Sequence, residues 1–186
     1  MKIWKYKNYE EYVEAQTRAN VKKINLKWVE ESTIAKIHSW VPFATSILCH
    51  GTRNAAEQKF FKKYYSNANI IGTEISHTAK NFPMTVQHDF HEVKDEWISK
   101  FDILYTNSFD HSYDPIKCLN TWKNQLSDNG IMFVEHAHSE VNNRSRAIDP
   151  LEISIEELLE LFKEVGLNAI IKDSTGKGAT LYQVNK

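Results

Sequence analysis

The densest group of reactive side chains lies at residues 107–115, directly after an apolar run. His111 carries an imidazole, which can accept or donate a proton near neutral pH. The neighbouring Asp110 and Tyr113 add a carboxylate and a phenol that can support it. His111 is therefore a candidate catalytic base or positioning group, and a histidine held by a local hydrogen bond is the alternative. Asp114, followed by proline, is better explained as a helix cap.

A glycine-containing loop offers a place for an anionic group. The sequence His50-Gly51-Thr52-Arg53-Asn54 follows the first strongly apolar run. Gly51 can adopt a backbone conformation closed to other residues, and the helix after it presents free N–H groups to an anion. Arg53 adds a guanidinium that can hold a carboxylate through two hydrogen bonds. An ordinary strand-to-helix turn with a surface arginine is the alternative.

Acidic residues follow the next two predicted strands. Glu74 comes roughly twenty residues after the glycine loop, where nucleoside-binding sheets place an acid on the ribose hydroxyls. The alternative is an exposed acid that caps the next helix. Asp89 and Phe90 suit adenine, because the acid can accept the exocyclic amine and the ring forms an apolar wall. A turn-forming aspartate beside a core phenylalanine explains this pair equally well.

Histidines and acids near the predicted strand ends raise the question of a metal. These residues are His88, His91, His111, His136 and His138, with Asp89 and Glu135. Imidazole and carboxylate suit divalent transition metals, but the histidine spacings are not specific to a metal site. We assign no metal ligands and keep a metal-assisted enzyme as an alternative.

Strands and helices alternate along most of the chain and must position these groups. Residues 9–39 are predicted to be helical and to end before Pro42. The predicted strands are residues 46–49, 69–74, 85–88, 101–106, 131–135, 168–172 and 179–184. The predicted helices are residues 54–65 capped by Asn54, 115–126 capped by Asp114, and one from the capping box Ser154–Glu157 to Gly166.

This alternation predicts an α/β fold with a mostly parallel sheet and helices on both faces. The last two strands, joined by a loop containing Gly176 and Gly178, predict one antiparallel edge strand. In such sheets ligands bind beyond the carboxyl ends of the strands. The candidate residues named above all fall at or near those ends.

From about Ser46 to Val184 the chain resembles the class I S-adenosylmethionine-dependent methyltransferases. The strongest part runs through Phe101–Tyr105, Asp110–Pro115 and Leu126–Glu135. It is similar to the family's pattern of an F-D-apolar strand, an E-H-x-x-D-P loop, a helix and an L-x-x-G-G turn into a strand. The resemblance implies a Rossmann-like seven-stranded sheet with its last strand antiparallel.

The resemblance also implies roles for individual residues, with S-adenosyl-L-methionine as the cofactor. Glu74 would bind the ribose, Asp89 the adenine amine, and Asp110 and His111 would stand close to the transferred methyl group. Together with the residue-based hypotheses, the candidate cofactor-binding residues are His50, Gly51, Arg53, Glu74, Ile75, Asp89, Phe90 and Asn107. The candidate catalytic residues are His111, Asp110 and Tyr113.

The cofactor loop departs from the family pattern of an acid followed by three alternating glycines. Cys49 stands in place of the acid, Arg53 in place of the second glycine, and Ala55 in place of the third. We hypothesise that Arg53 grips the methionine carboxylate instead, although a bulky arginine could equally obstruct the pocket. A catalytically inactive nucleoside-binding module is therefore a further alternative.

Two units are expected, a helical N-terminal cap over residues 1–42 and the cofactor-binding domain over residues 43–186. The cap carries Arg18 and Asn20, which could reach the cofactor, and aromatic residues that could wall the acceptor or simply pack onto the domain. These aromatic residues are Trp4, Tyr6, Tyr9, Tyr12 and Trp28.

Composition narrows the class of substrate. The 23 basic and 24 acidic side chains give a formal net charge of −1, which argues against a nucleic-acid surface. No run approaches the ~20 apolar residues of a membrane span. Cys49 and Cys118 lie in apolar stretches and are expected to be reduced packing thiols in a cytoplasmic protein. A small-molecule methyl acceptor is the residual expectation, and a homodimer is left open.

Overall fold

The computed structural model describes residues 1–137 and 146–186, and an α/β sheet organises them. The strands are β1 (Lys2–Ile3), β2 (Ser46–His50), β3 (Asn69–Glu74), β4 (Thr85–Gln87), β5 (Phe101–Thr106), β6 (Leu126–His136), β7 (Leu151–Glu152), β8 (Asn168–Ser174) and β9 (Thr180–Asn185). Seven of them form one sheet in the order β4-β3-β2-β5-β6-β9-β8. The predicted mostly parallel sheet is confirmed.

The last strand, β9, runs antiparallel to both of its neighbours, β6 and β8. The predicted direction of the last strand is therefore confirmed. The expectation that the antiparallel strand lies at the edge is wrong, because β9 inserts between β6 and β8 and leaves β8 outermost. This insertion lets the apolar residues of β9, such as Leu181 and Tyr182, be fully buried.

Five helices are described: α1 (Tyr9–Lys22), α2 (Glu31–Trp40), α3 (Ala56–Tyr64), α4 (Pro115–Gln125) and α5 (Ile155–Glu164). Apolar residues of α4 and α5 pack on one face of the sheet, where they form a core cluster with Leu48 and Leu104. Apolar residues of α2 and α3 pack on the other face with Ile47 and Ile103. The two faces follow from the alternation of side chains along each strand.

The helix caps test the sequence-based boundaries. Ser154 and Glu157 form the predicted capping box at α5. Asp114 caps α4 by accepting a hydrogen bond from the Lys117 amide, as predicted. Asn54 as the cap of α3 is wrong, because α3 begins after Ala55 and has no side-chain cap. The side-chain amide of Asn54 instead donates through Nδ2 to the backbone carbonyls of Ile24 and Leu26.

The predicted helical region over residues 9–39 forms two helices with different positions. Helix α2 belongs to a face of the sheet. Helix α1 lies across the loops that follow β3, β4 and β5, where Asn20 contacts Thr78, Tyr9 contacts Asp89, and Tyr12 contacts the His111 carbonyl. The boundary at residue 42 stays a prediction.

A short ribbon joins the N-terminal residues to a segment near the other end of the chain. In it β1 pairs antiparallel with β7. The Trp4 amide donates to the Pro150 carbonyl, and the Tyr6 hydroxyl donates to the Ala147 carbonyl. Residues 1–6 therefore brace the segment 147–152.

Cys49 and Cys118 are both buried and free, which confirms the prediction of unpaired packing thiols. None of the helices in the described ranges combines the length and the apolar character that crossing a membrane requires.

Candidate functional site

Two adjoining cavities open at the carboxyl edge of the sheet. The narrow cavity, of about 50 Å³, lies beneath α1 and is lined by Glu74, Asp89 and Phe90 among others. The wide cavity, of about 580 Å³, lies beyond the end of β5 and is lined by Asn107, Asp110 and other residues. The walls that both cavities share are Lys23, Gly51, Arg53, Ser108 and His111. The edge that the sequence predicted thus holds most of the candidate residues.

The loop after β2 keeps a left-handed backbone at alternate residues. The φ angles are 71° at Gly51, 43° at Arg53 and 62° at Ala55. A Cβ atom at Gly51 would lie 2.5 Å from Ser108 Cβ, so a larger residue would force the loop away from β5. Arg53 and Ala55 adopt a conformation that glycine favours, although neither is glycine. The loop thus has a left-handed backbone at two positions that are not glycine.

The Glu74 carboxylate faces the narrow cavity and is held by backbone donors. The Ser76 amide donates to Oε1 at 2.9 Å, and the Arg53 amide donates to Oε2 at 3.2 Å. Burial raises the pKa of Glu74, and these donors oppose that rise. The carboxylate therefore has a fixed position at the end of β3.

Asp89 is already surrounded by donors. His91 donates to Oδ1 from its backbone amide at 3.0 Å and contacts it through Nδ1 at 2.7 Å, while the Tyr9 hydroxyl donates to Oδ2 at 3.0 Å. Burial alone would raise the pKa of Asp89, but these hydrogen bonds lower it overall. Tyr9 of α1 thus already donates a hydrogen bond to the Asp89 carboxylate, which the sequence analysis assigned to a ligand. Phe90 and Ile75 also line this cavity, as does Asn20 from α1, whereas the exposed Arg18 lines neither cavity.

The His50 side chain lies in the core and not in either cavity. Its Nδ1 is 2.9 Å from Thr73 Oγ1 and its Nε2 is 2.8 Å from Gln125 Oε1. The ring stacks on Trp122, and burial lowers the pKa of His50 to about 3. His50 is therefore neutral near pH 7, and it lines neither cavity, so its assignment to the cofactor stays a prediction.

His111 contacts both cavities through a ring with a fixed orientation. Its Nδ1 lies 2.7 Å from the Ile148 carbonyl oxygen, which can only accept, so Nδ1 carries the proton. The other nitrogen, Nε2, is then unprotonated in the neutral ring and lies 3.9 Å from Asp110 Oδ1. This arrangement leaves one nitrogen able to accept a proton and one carboxylate beside it.

Tyr113 is not brought to either cavity. Its ring packs against Tyr12 at 4.5 Å, His91 at 4.1 Å and Tyr9 at 6.3 Å between centroids. Tyr113 therefore packs against α1 and lines neither of the cavities that His111 contacts.

Arg53 and Asn107 define the wall of the wide cavity nearest the glycine loop. Arg53 Nη1 donates to the Leu26 carbonyl at 3.2 Å, and its side chain contacts both cavities without closing either. Asn107 lies in the wide cavity, where its Nδ2 donates to Glu57 Oε1 at 3.1 Å.

Sequence reasoning missed Glu57. It stands in the first turn of α3, where an acid is common because of the helix dipole, so its type and position carried no functional signal. In the structure it lines the wide cavity and is 5% exposed.

Among the residues that the structure describes, the histidines considered for a metal site do not come together around one point. His91 contacts Asp89 through one nitrogen and Ser112 through the other, and His88 Nε2 lies 3.0 Å from the Glu92 carbonyl oxygen. His136 lines the wide cavity, Glu135 is buried beneath it, and His138 lies outside the described residues.

Within residues 1–137 and 146–186, one group has a spacing that could hold a cation. Asp110, His111 and Asp149 each offer a ligand atom within 4.8 Å of the others. Arg146 already pairs with Asp149, with 2.6 Å between Nη2 and Oδ2, and a guanidinium repels a cation. We assign no metal to this group.

The fold matches solved methyltransferases over most of the chain. The Burkholderia thailandensis 1,6-didemethyltoxoflavin-N1-methyltransferase, solved with 1,6-didemethyltoxoflavin and S-adenosylhomocysteine, is 16% identical, with a TM-score of 0.71 over 97% of this chain and 90% of its own. A TehB-like S-adenosylmethionine-dependent methyltransferase from Corynebacterium glutamicum is also 16% identical, with a TM-score of 0.61 over 94% and 96%. An S-adenosylmethionine-dependent methyltransferase from Aquifex aeolicus is 12% identical, with a TM-score of 0.62 over 86% and 100%.

No protein-family model and no curated protein sequence matches the chain. At this level of identity the structural similarity establishes the fold. The chain has the Rossmann-like fold of the class I methyltransferases, as the resemblance implied.

Proposed function

We propose that this chain is an S-adenosylmethionine-dependent methyltransferase that acts on an oxygen or nitrogen of a small molecule. The observation that carries the proposal is the carboxyl edge of the sheet, where the Gly51 loop, Glu74 and Asp89 line one cavity that continues into a larger one. This arrangement provides separate places for a nucleoside and for a second substrate. The fold shared with solved methyltransferases supports the same conclusion.

The residues of the narrow cavity fit the nucleoside end of the cofactor. Glu74 would accept hydrogen bonds from the ribose hydroxyls, and Asp89 with Phe90 would hold the adenine. The Gly51 turn, open because it has no side chain, would lie against the amino-acid tail. Since about 50 Å³ holds only a few water molecules, some of the residues around this cavity would have to move for the nucleoside to enter.

The wide cavity would hold the methyl acceptor. Its volume of about 580 Å³ lies within the usual range for small-molecule sites, which is about 300–1,000 Å³. Both acidic and basic side chains line it, including Asp110, Asp149, Arg146 and Lys27. This mixed charge favours a polar metabolite over a purely apolar acceptor.

When bound, the cofactor supplies an electrophilic methyl carbon on a sulfonium. Glu74, Asp89 and the Gly51 turn would hold the cofactor so that an acceptor in the wide cavity could take this methyl group and leave a neutral thioether. His111 Nε2 would take the proton that the acceptor loses, while the bond from Nδ1 to the Ile148 carbonyl holds the ring in place. Asp110 would stabilise the imidazolium that forms. Holding the acceptor in line supplies several kcal/mol of barrier lowering.

The proposal is tested by calorimetric titration with S-adenosylmethionine and S-adenosylhomocysteine. Both should bind the native chain, and Glu74→Gln should weaken both by about 10- to 100-fold, because hydrogen bonds to a charged carboxylate are lost. Glu160→Gln, an exposed change on α5, is the matched control and should bind as the native chain does.

The alternatives give different results. Absence of binding to either compound would contradict the proposal. Binding without transfer of a labelled methyl group to any compound of a metabolite extract would favour an inactive nucleoside-binding module. Metal analysis of freshly purified protein would show whether a metal is bound, which the metal-assisted alternative requires.

A further inference from the structure

Glu57 is a buried carboxylate with an incomplete set of partners. Asn107 donates to Oε1, but Oε2 is buried and accepts no hydrogen bond from any residue that the structure describes. Burial raises the pKa of Glu57 to about 7. A buried polar atom without a partner is rare in folded proteins and is usually explained by a ligand, a water molecule or a functional strain.

The charges around Glu57 do not complete its contacts. Arg53, in the loop before α3, lowers the pKa of Glu57, and Glu135 on β6 raises it. Tyr105 on β5 and Cys49 on β2 are buried, and burial raises the pKa of each well above its usual value, so both stay neutral. Among the described residues, no cation lies within ion-pair distance of Glu57; Arg53 Nη1 donates to Leu26 instead.

Other charged and titratable groups line the same cavity but belong to its remaining walls. They are Lys23, Lys27, Asp110, His111, His136, Arg146, Asp149 and Glu152. Any test that varies pH must therefore separate Glu57 from these groups.

We infer that Glu57 binds the α-ammonium group of the amino-acid tail of S-adenosylmethionine. This inference rests on the proposed function and adds a residue to it. An ammonium group is a compact cation with donors, which is what a desolvated carboxylate with a free oxygen lacks. Glu57 would then supply the negative charge that Cys49, in the acid's usual place, does not.

The shape of the site places the tail beside Glu57. Glu74 and Asp89 line only the narrow cavity, Glu57 lines only the wide one, and Gly51 and Arg53 line both. A ligand with its nucleoside at Glu74 must pass the Gly51 turn to reach the wide cavity. There Arg53 complements the tail's carboxylate and Glu57 its ammonium, so the two side chains together suit a zwitterion.

The test compares S-adenosylhomocysteine with 5′-methylthioadenosine, which has the same nucleoside and thioether but no amino-acid tail. In Glu57→Gln, affinity for S-adenosylhomocysteine should fall by about 10- to 100-fold, the loss expected for one hydrogen bond between charged groups. Affinity for 5′-methylthioadenosine should stay within about twofold of the native value, a shift too small to represent a lost hydrogen bond. Glu57→Asp, which keeps the charge on a shorter chain, should lose less, and Glu160→Gln should lose nothing.

A pH series provides the second readout. Affinity of the native chain for S-adenosylhomocysteine should rise with pH up to about 7 and then level, because Glu57 must be ionised to hold the ammonium group. The rise should be absent for 5′-methylthioadenosine and for Glu57→Gln, which separates Glu57 from His111 and His136.

Equal weakening of both ligands in Glu57→Gln would show a structural role and overturn the inference. Unchanged binding with lost methyl transfer would also overturn it, in favour of a base that acts on the acceptor. If the native chain binds neither compound, the proposed function fails first, and the inference fails with it. A melting temperature for Glu57→Gln no lower than the native value confirms that the variant is folded.

Discussion

The two cavities differ in how their carboxylates are satisfied. In the narrow cavity, Glu74 and Asp89 each accept at least two hydrogen bonds from the protein itself. In the wide cavity, Glu57 has one partner and one free buried oxygen. The carboxylates of the small, narrow cavity are therefore satisfied without a ligand, whereas the larger, wide cavity holds a carboxylate that is not.

This difference shows two ways of preparing a site. Donors that the protein supplies hold a carboxylate in position, but a ligand must then displace or share them. A carboxylate without donors destabilises the empty protein but interacts more strongly with a ligand that brings them. The following predictions test whether the two cavities do behave in these opposite ways.

The largest effect is expected at His111, where the cavities meet. His111→Asn keeps a donor for the Ile148 carbonyl but removes the basic nitrogen, so methyl transfer should fall by about 100-fold or more. Affinity for S-adenosylhomocysteine should change little. The measurement is transfer of labelled methyl groups to a small-metabolite extract, with the exposed His77→Asn as control. Equal loss of transfer and of binding would indicate a structural histidine.

Neutralising one carboxylate in each cavity should change stability in opposite directions. The pKa of Glu57 is raised to about 7, so the folded state holds its proton more tightly, and ionisation between about pH 4.5 and 7 destabilises it. At pH 8 without ligand, Glu57→Gln should raise the free energy of unfolding by about 2–3 kcal/mol, with little change at pH 4.

Asp89→Asn should instead destabilise the fold at pH 8, because hydrogen bonds lower the pKa of Asp89 and its ionised form stabilises the folded state. That stabilisation is lost as the pH falls through the lowered pKa. Urea unfolding at pH 4 and pH 8 measures both variants. The same sign for both at pH 8 would remove the distinction between the cavities.

The smallest effect is expected at Tyr9 of α1, the helix that lies over the narrow cavity. Tyr9→Phe removes the hydroxyl that donates to Asp89, and because Tyr9 is exposed, solvent reduces the worth of this bond to a charged group to about 0.5–1.5 kcal/mol. If the nucleoside competes with that bond, both S-adenosylhomocysteine and 5′-methylthioadenosine should bind about 2- to 10-fold more tightly. Tyr64→Phe, whose hydroxyl contacts Glu31, is the control. Weaker binding would mean that Tyr9 contributes to the occupied state.

The sequence was sufficient to predict which residues lie at the carboxyl edge of the sheet. A residue at or just after the end of a parallel strand must lie at that edge. Gly51, Glu74 and Asp89 each come at or just after the end of a parallel strand, and parallel strands end at one edge. Strand direction and the buried cysteines followed from apolar patterning in the same way.

What the sequence could not show depends on packing between distant segments. Glu57 and Asn107 meet only because α3 packs beside the end of β5. The Tyr113 ring packs against Tyr12 of α1, and no local sequence pattern predicts this contact. The burial of the His50 side chain follows from the strand pattern, since His50 is two residues after Leu48 in one strand and shares its face, which packs into the core.

The ribbon that joins β1 to β7 has a consequence for how the molecule assembles and opens. The ribbon pairs Lys2 with Glu152 and Ile3 with Leu151, which lie far apart in the sequence. Forming it therefore costs the entropy of closing a very long loop and gains only two residue pairs. The segment it braces carries Asp149 and Leu151, which line the wide cavity. We expect this wall of the wide cavity to form after the central sheet during refolding, and to exchange its amide hydrogens before the strands of that sheet exchange theirs.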